Sequence, residues 1–213
     1  MRGSLAPRAP AKPEPRTPAR RSMVFKDALP QLCGRNKVGS VNITETIATL
    51  DRMQADGAIG KYALGGAFGA FFYVEVTYTE DLDVFVLLNP KPGNPLVTLD
   101  EVHSFLKTQG AYVDRDGYSV IAGWKVQFVP AEGSLLIEAL DQSVERDDFG
   151  APVHVFSAEH LMANALKLGR PKDKIRLSQF LETKRFDEKR LSEILTRHEL
   201  LDAWAKFKAS IAD

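Results

Sequence analysis

Apolar residues recur at helical spacing early in the chain. Ile43, Ile47, Leu50 and Met53 share one face of a segment running from Val41 to Asp56. Asn42 at its start, Glu45 three residues on and Gly57 at its end predict a capped helix. Lys61–Leu64 reads as a short strand that runs into Gly65-Gly66, and Ala67–Val74 as a short helix of small and aromatic residues. The period then changes to two. Leu82, Val84, Val86 and Leu88 alternate with Asp81 and Asp83, which predicts a strand with one apolar and one acidic face, closed by Asn89-Pro90 and a proline-rich loop. Thr98 with Glu101 predicts a second capped helix, with Val102, Phe105 and Leu106 inside and Gly110 as its stop. Tyr112–Asp114, Tyr118–Ile121 and Trp124–Val129 are strand-like, and Ala122-Gly123 between the last two suits a hairpin turn.

From Ser134 onward the pattern is mostly helical. Leu135–Arg146 reads as one helix, Val153–Phe156 as a short strand, and Ser157 as the cap of a helix reaching Leu168. Gly169-Arg170-Pro171 breaks the chain before a helix over Lys172–Thr183, and two more follow near 187–197 and 199–211. In the last of these, Leu200, Trp204, Phe207 and Ile211 share a face. The expected fold class is therefore α+β: a small mixed β-sheet flanked by helices in residues 23–133, followed by a mostly helical region in 134–213. No internal repeat is evident.

Composition adds a tail and a sign. Residues 1–22 are rich in Pro, Ala and Arg, with few core formers, and are expected to be disordered. They lack the apolar stretch of a secretory signal. Vector-derived sequence, or a start at Met23, is favoured over a transit peptide. The chain balances 28 Lys+Arg against 28 Asp+Glu, but the tail takes six of the basic residues and one acid, leaving 22 basic and 27 acidic residues behind. A body of that sign is not a passive binder of polyanions. The lone cysteine, Cys33, cannot form an internal disulfide, which suits a reducing, cytoplasmic setting. The longest uncharged apolar run, Tyr62–Val74, is too short to span a bilayer, so no membrane role is expected.

The candidate chemistry lies between Gly65 and Asp83. Asp81 and Asp83 point to the same face of their strand, where two carboxylates repel unless a cation lies between them. Magnesium takes a few carboxylates together with phosphate oxygens and water, and this pair offers that. Gly65-Gly66, between a strand and a helix, lets backbone approach a phosphate closely. The four histidines, His103, His154, His160 and His198, have no metal-ligand spacing and read as scaffold or surface.

The order apolar-Gly-Gly, a gap, then Asp-Leu-Asp-Val resembles the DNA polymerase β-type nucleotidyltransferase superfamily. The later block VHVFSAEHLMANALKLGRPKDKIRLSQFLE resembles the helical segment of AbiEii-like nucleotidyltransferases, toxins of type IV toxin–antitoxin systems. The two blocks span roughly residues 40–183. The resemblance implies that Asp81 and Asp83 bind two Mg²⁺ ions that bridge an NTP, that Gly65 and Gly66 hold its β,γ-phosphates, and that Thr79 adds a hydroxyl contact. It further implies that Lys167 faces the triphosphate and that Asp173 holds Arg170 or Lys172 in place. The acceptor would be a hydroxyl on tRNA, a protein or a small molecule, and an antitoxin would be the partner.

The sequence departs from that family in two places. Members commonly carry a third acid on a later strand, and the matching position here is Gln127, with Lys125 on the same face. An amide can neither take a proton nor offset a metal's charge. Glu132, Glu75 and Glu80 are the possible substitutes. The gap from Gly66 to Asp81 is also longer than the pattern. Three readings follow: a nucleotidyltransferase, a nucleotide-binding module with little turnover, or a small-molecule transferase such as an antibiotic-modifying enzyme.

Overall fold

The computed structural model describes residues 42–75, 79, 81–88, 98–149 and 151–211. The basic tail, Cys33, Glu80 and the Asn89-Pro90 loop lie outside the described residues. In chain order the elements are α1 (Ile43–Ala55), β1 (Tyr62–Leu64), α2 (Gly66–Ala70), β2 (Asp81–Val86), α3 (Asp100–Thr108), β3 (Tyr112–Val113), β4 (Ser119–Ile121) and β5 (Trp124–Pro130). They continue with α4 (Gly133–Asp141), β6 (Val144–Arg146), β7 (Val153–Val155), α5 (Ala158–Leu168), α6 (Pro171–Thr183), α7 (Glu188–Arg197) and α8 (Leu201–Ala209). The α+β expectation holds: one mixed sheet in the order β3-β4-β5-β2-β1-β7-β6 carries the helices. β2 runs parallel to β5 and β1 parallel to β7, and the remaining pairs are antiparallel.

Local chemistry accounts for most element ends. The Asn42 side chain accepts from the Glu45 amide at 3.1 Å, and Ile43, Ile47, Leu50 and Met53 are all buried, as their spacing requires. Ser157 caps α5 by accepting from the His160 amide. Ala122 and Gly123 both have positive φ, the geometry of a tight hairpin between β4 and β5. Three expectations are corrected. The helix expected over Leu135–Arg146 stops at Asp141, and Val144–Arg146 instead pairs with β7, so the sheet extends past the boundary expected near residue 133. Thr98 pairs with Asp100, not Glu101, and α3 has no side-chain cap. Ile211 is exposed, because α8 ends before it.

α5 is the hub of the helical layer. It packs against α2, α4, α6, α7 and α8 and is buried nearly all round, as a central helix must be. Two carboxylates fasten its neighbours. Glu159 on α5, itself buried, accepts from the Asp187 amide at the start of α7 at 2.9 Å. Glu138 on α4 gathers three partners. Arg197 reaches it through two nitrogens at 2.9 and 2.8 Å, His198 Nε2 lies at 2.8 Å, and buried His160 Nε2 at 3.4 Å. Ser134 and Ser157 bond the other ring nitrogens of His198 and His160. The four histidines were expected to be scaffold or surface residues, and these two are scaffold. Among the described residues, no helix is long and apolar enough to cross a membrane.

The Glu138 cluster makes a testable prediction. The Arg197 hydrogen bonds, followed by those of the two histidines, hold the Glu138 carboxyl down to about 2. Its folded pKa is below its unfolded value, so its contribution is complete above about pH 5 and is lost as pH falls towards 2. Glu138→Gln is expected to cost about 2 kcal/mol in urea unfolding at pH 7. The gap to the parent chain should close near pH 2.

Candidate active site

β2 presents Asp81 and Asp83 on one face, while Leu82, Val84 and Val86 on the other are wholly buried and anchor the strand. The parallel register with β5 places Lys125 beside Asp81 and Gln127 beside Asp83. The amide of Gln127 is thus the neighbour of Asp83 on the next strand. None of the three possible substitutes is seen in the site: Glu132 and Glu75 are exposed and line no part of it, and Glu80 is outside the described residues.

The two glycines are explained by close approach. Gly66 has φ of 57°, and a Cβ there would run into the Asp83 carboxylate; a Cβ on Gly65 would strike the Phe85 ring. Gly65 also donates its amide to the Asp83 carbonyl at 3.0 Å, extending the β1–β2 ladder by one bond. The amide of Gly65 is thus occupied, and Gly66 is the member of the pair that faces the hollow beside Asp83.

The facing wall comes from the break between α5 and α6. Gly169 turns left-handed at φ 64°, and Pro171 starts the next helix at once. This geometry brings Arg170, Lys172 and Arg176 over the carboxylates. Asp173 is fully buried and fastens two of them. It accepts from Arg170 Nε at 2.6 Å and Nη2 at 3.2 Å, and lies 3.6 Å from Arg176 Nη1. It also accepts the Arg170 backbone amide at 3.3 Å, which caps α6. Asp173 was expected to hold Arg170 or Lys172. It holds Arg170 and Arg176, and Lys172 remains exposed. Lys167 is exposed on α5 and lines neither hollow of the site.

The third wall is the β3–β4 turn. Lys125 Nζ lies 3.3 Å from Asp114, 3.4 Å from Asp116 and 5.3 Å above the Tyr118 ring. Thr79, nearly buried, donates to the Asp81 carbonyl at 2.9 Å and its Oδ1 at 3.3 Å, and so orients that carboxylate.

Two adjoining hollows result. The larger, about 640 Å³, is lined by Thr79, Asp81, Asp116, Tyr118, Lys125 and Lys172. The smaller, about 210 Å³, lies between Gly66, Asn164 and Asp173 and has an apolar lining of Phe85, Val129, Leu136 and Leu161. Asp83, Gln127, Arg170 and Arg176 border both. Burial, then the charge of Asp81, pushes Asp83 up to about 6, against the pull of Lys172, Arg176 and Arg170. The Asp81 charge, then burial and Asp83, raises the Tyr118 phenol.

Sequence reading missed three of these residues. Arg176 had a signal, since Arg170, Asp173 and Arg176 follow one another at three-residue steps on a helical face. Tyr118 could have been placed by counting back through the Ala122-Gly123 turn, whose register pairs Ser119 with Val126. Asp116 had none, because its place depends on how the turn closes.

Among the described residues no cluster of three or more His, Cys, Asp or Glu could hold a metal alone. The donor set is two carboxylates, one of which resists ionisation. It fits a magnesium ion that brings phosphate oxygens and water as its other ligands.

No protein-family model matches the chain, and no curated protein matches it. Solved structures do resemble it. An antigenic nucleotidyltransferase-like protein from Paracoccidioides brasiliensis matches with a TM-score of 0.45 and 14% identity, covering 79% of this chain and 94% of that one. The antibiotic-resistance factor ANT(2'')-Ia matches with a TM-score of 0.40 and 14% identity, covering 78% and 91% respectively. Both are distant.

Asp83 gives the site a thermal signature. Its folded pKa is raised, so without a cation the chain loses stability as pH rises from about 4 through 6. Asp83→Asn is expected to be more stable than the parent by about 2 kcal/mol at pH 7.5 in chelator. Millimolar Mg²⁺ with NTP should raise the melting temperature of the parent and leave the variant unmoved.

Proposed function

We propose that this cleft binds a nucleoside triphosphate with Mg²⁺ and passes its nucleotidyl group to a hydroxyl acceptor. The observation that carries this reading is the facing of Asp81 and Asp83 by Arg170, Lys172 and Arg176, with Gly66 at their border. Two carboxylates supply metal ligands, and three cations supply the charge that a triphosphate needs. Gly66, Arg170 and Arg176 hold the β,γ-phosphates over the smaller hollow, whose apolar lining strengthens each charge contact by excluding water. Asp173 positions the two arginines and Thr79 positions Asp81. Asp81 and Asp83 would hold two Mg²⁺ ions, which when bound would supply neutralisation of the phosphate charge. The acceptor enters the larger hollow. The AbiEii-like resemblance favours tRNA or a protein as acceptor, with an antitoxin as partner and the cytoplasm as setting. An acidic body equally suits a cationic small molecule.

Gln127 favours a second reading, a module that binds the nucleotide but turns it over slowly. Calorimetry with Mg²⁺ and each NTP, beside incorporation from α-labelled NTP, separates the two. Binding is expected for the parent chain, is expected to be lost in Asp83→Ala, and should weaken by about 10- to 100-fold in Arg176→Ala, which removes a charge-assisted contact of about 1.5–3 kcal/mol. Unchanged NTP binding in Asp83→Ala would sink both readings. Gln127→Glu is expected to raise incorporation in the slow-module case, because it restores a carboxylate beside Asp83.

A further inference from the structure

A transferase that acts on hydroxyls has two hydroxyl side chains in its own larger hollow, Thr79 and Tyr118. Thr79 is nearly buried and its proton is committed to Asp81. Tyr118 is half-buried, its ring lies under Lys125, and it lines the larger hollow together with Asp81 and Asp83. It reaches the site from the β4 side, across β5 from β2. Arg170 and Arg176 border the larger hollow as well as the smaller one, and Gly66 lines the smaller one. With the phosphates seated over Gly66 and the smaller hollow, an acceptor attacking the α-phosphorus approaches from the larger hollow, whose lining includes Tyr118.

We propose that Tyr118 is itself an acceptor, so that the chain nucleotidylates its own phenol. The inference rests on the nucleotidyl-transfer reading above. The Tyr118 oxygen forms a bond to the α-phosphorus, and the bond from that phosphorus to the α,β-bridging oxygen breaks. Pyrophosphate leaves with the electron pair. The phenolic proton passes to the Asp116 carboxylate, which lines the same hollow and is exposed, and from there to water. The product is a tyrosyl phosphodiester in the larger hollow, and each chain modifies itself once.

The test uses the full chain. Incubation with Mg²⁺ and each NTP in turn, followed by intact-mass measurement and peptide mapping, is expected to show a gain of one nucleotidyl group on the peptide bearing Tyr118. The gain should vanish in Tyr118→Phe and in Asp83→Ala, and reverse when excess pyrophosphate is added. A second readout needs no turnover. In a sample with ¹³C-labelled tyrosine rings, the resonance missing from Tyr118→Phe should shift when Mg²⁺ and a non-hydrolysable NTP analogue are added. NTP binding or labelling of an added acceptor without a mass gain on Tyr118 would overturn the inference and leave the transferase reading standing. A mass gain that persists in Tyr118→Phe would also overturn it. Absence of any NTP binding would overturn the reading beneath, and this one with it.

Discussion

Asp83 is a carboxylate drawn out of water, beside a second carboxylate, against a backbone with no side chain to spare. Most of the site is a response to that placement. Gly66 is a glycine because the Asp83 oxygens occupy the volume a Cβ would need. The Gly65 amide is tied to the Asp83 carbonyl, which fixes the turn to the strand. Arg170, Lys172 and Arg176 supply positive field from the far wall, and that field opposes the shift caused by burial and by Asp81 without cancelling it. A cation placed between the two carboxylates would relieve a repulsion already built into the fold.

The helices exist, in this view, to hold that far wall still. α5 is buried on almost every side, and its neighbours are fastened to it by Glu159 and by the Glu138 cluster. Asp173, with no exposed surface, fixes the two arginines by direct contacts. Charge placed on such supports is preorganised: it need not be gathered when a ligand arrives.

Periodicity made much of this legible. The acidic face of β2, the caps at Asn42 and Ser157, the Ala122-Gly123 hairpin and the break at Gly169 all follow from local rules. What failed was non-local. Val144–Arg146 continues a helical pattern but pairs with β7, since a strand partner outweighs a marginal last turn. Lys167 carries the right charge, yet it is exposed on α5 and lines neither hollow. The roles of Glu138, His160 and His198 could not be read from spacing, because they come from helices 22 to 60 residues apart and meet only when those helices pack. The parallel register sets Gln127 beside Asp83, and the alternation along Trp124–Val129 puts it on the same face as Lys125.

The junction between α5 and α6 has a consequence for how this chain can vary. One helix ends at Leu168 and the next begins at Pro171, so only the two cap residues, Gly169 and Arg170, separate them. Each residue of helix turns its side chains by about 100°. A one-residue insertion or deletion at this joint would therefore rotate Arg176 and Asp173 together, off the cleft and towards solvent or the core, although no residue of the site had been changed. Most surface joints in a protein tolerate such changes in length. This one works as a phase setting between two helices, and relatives that keep the same chemistry should keep its length even where its residues differ.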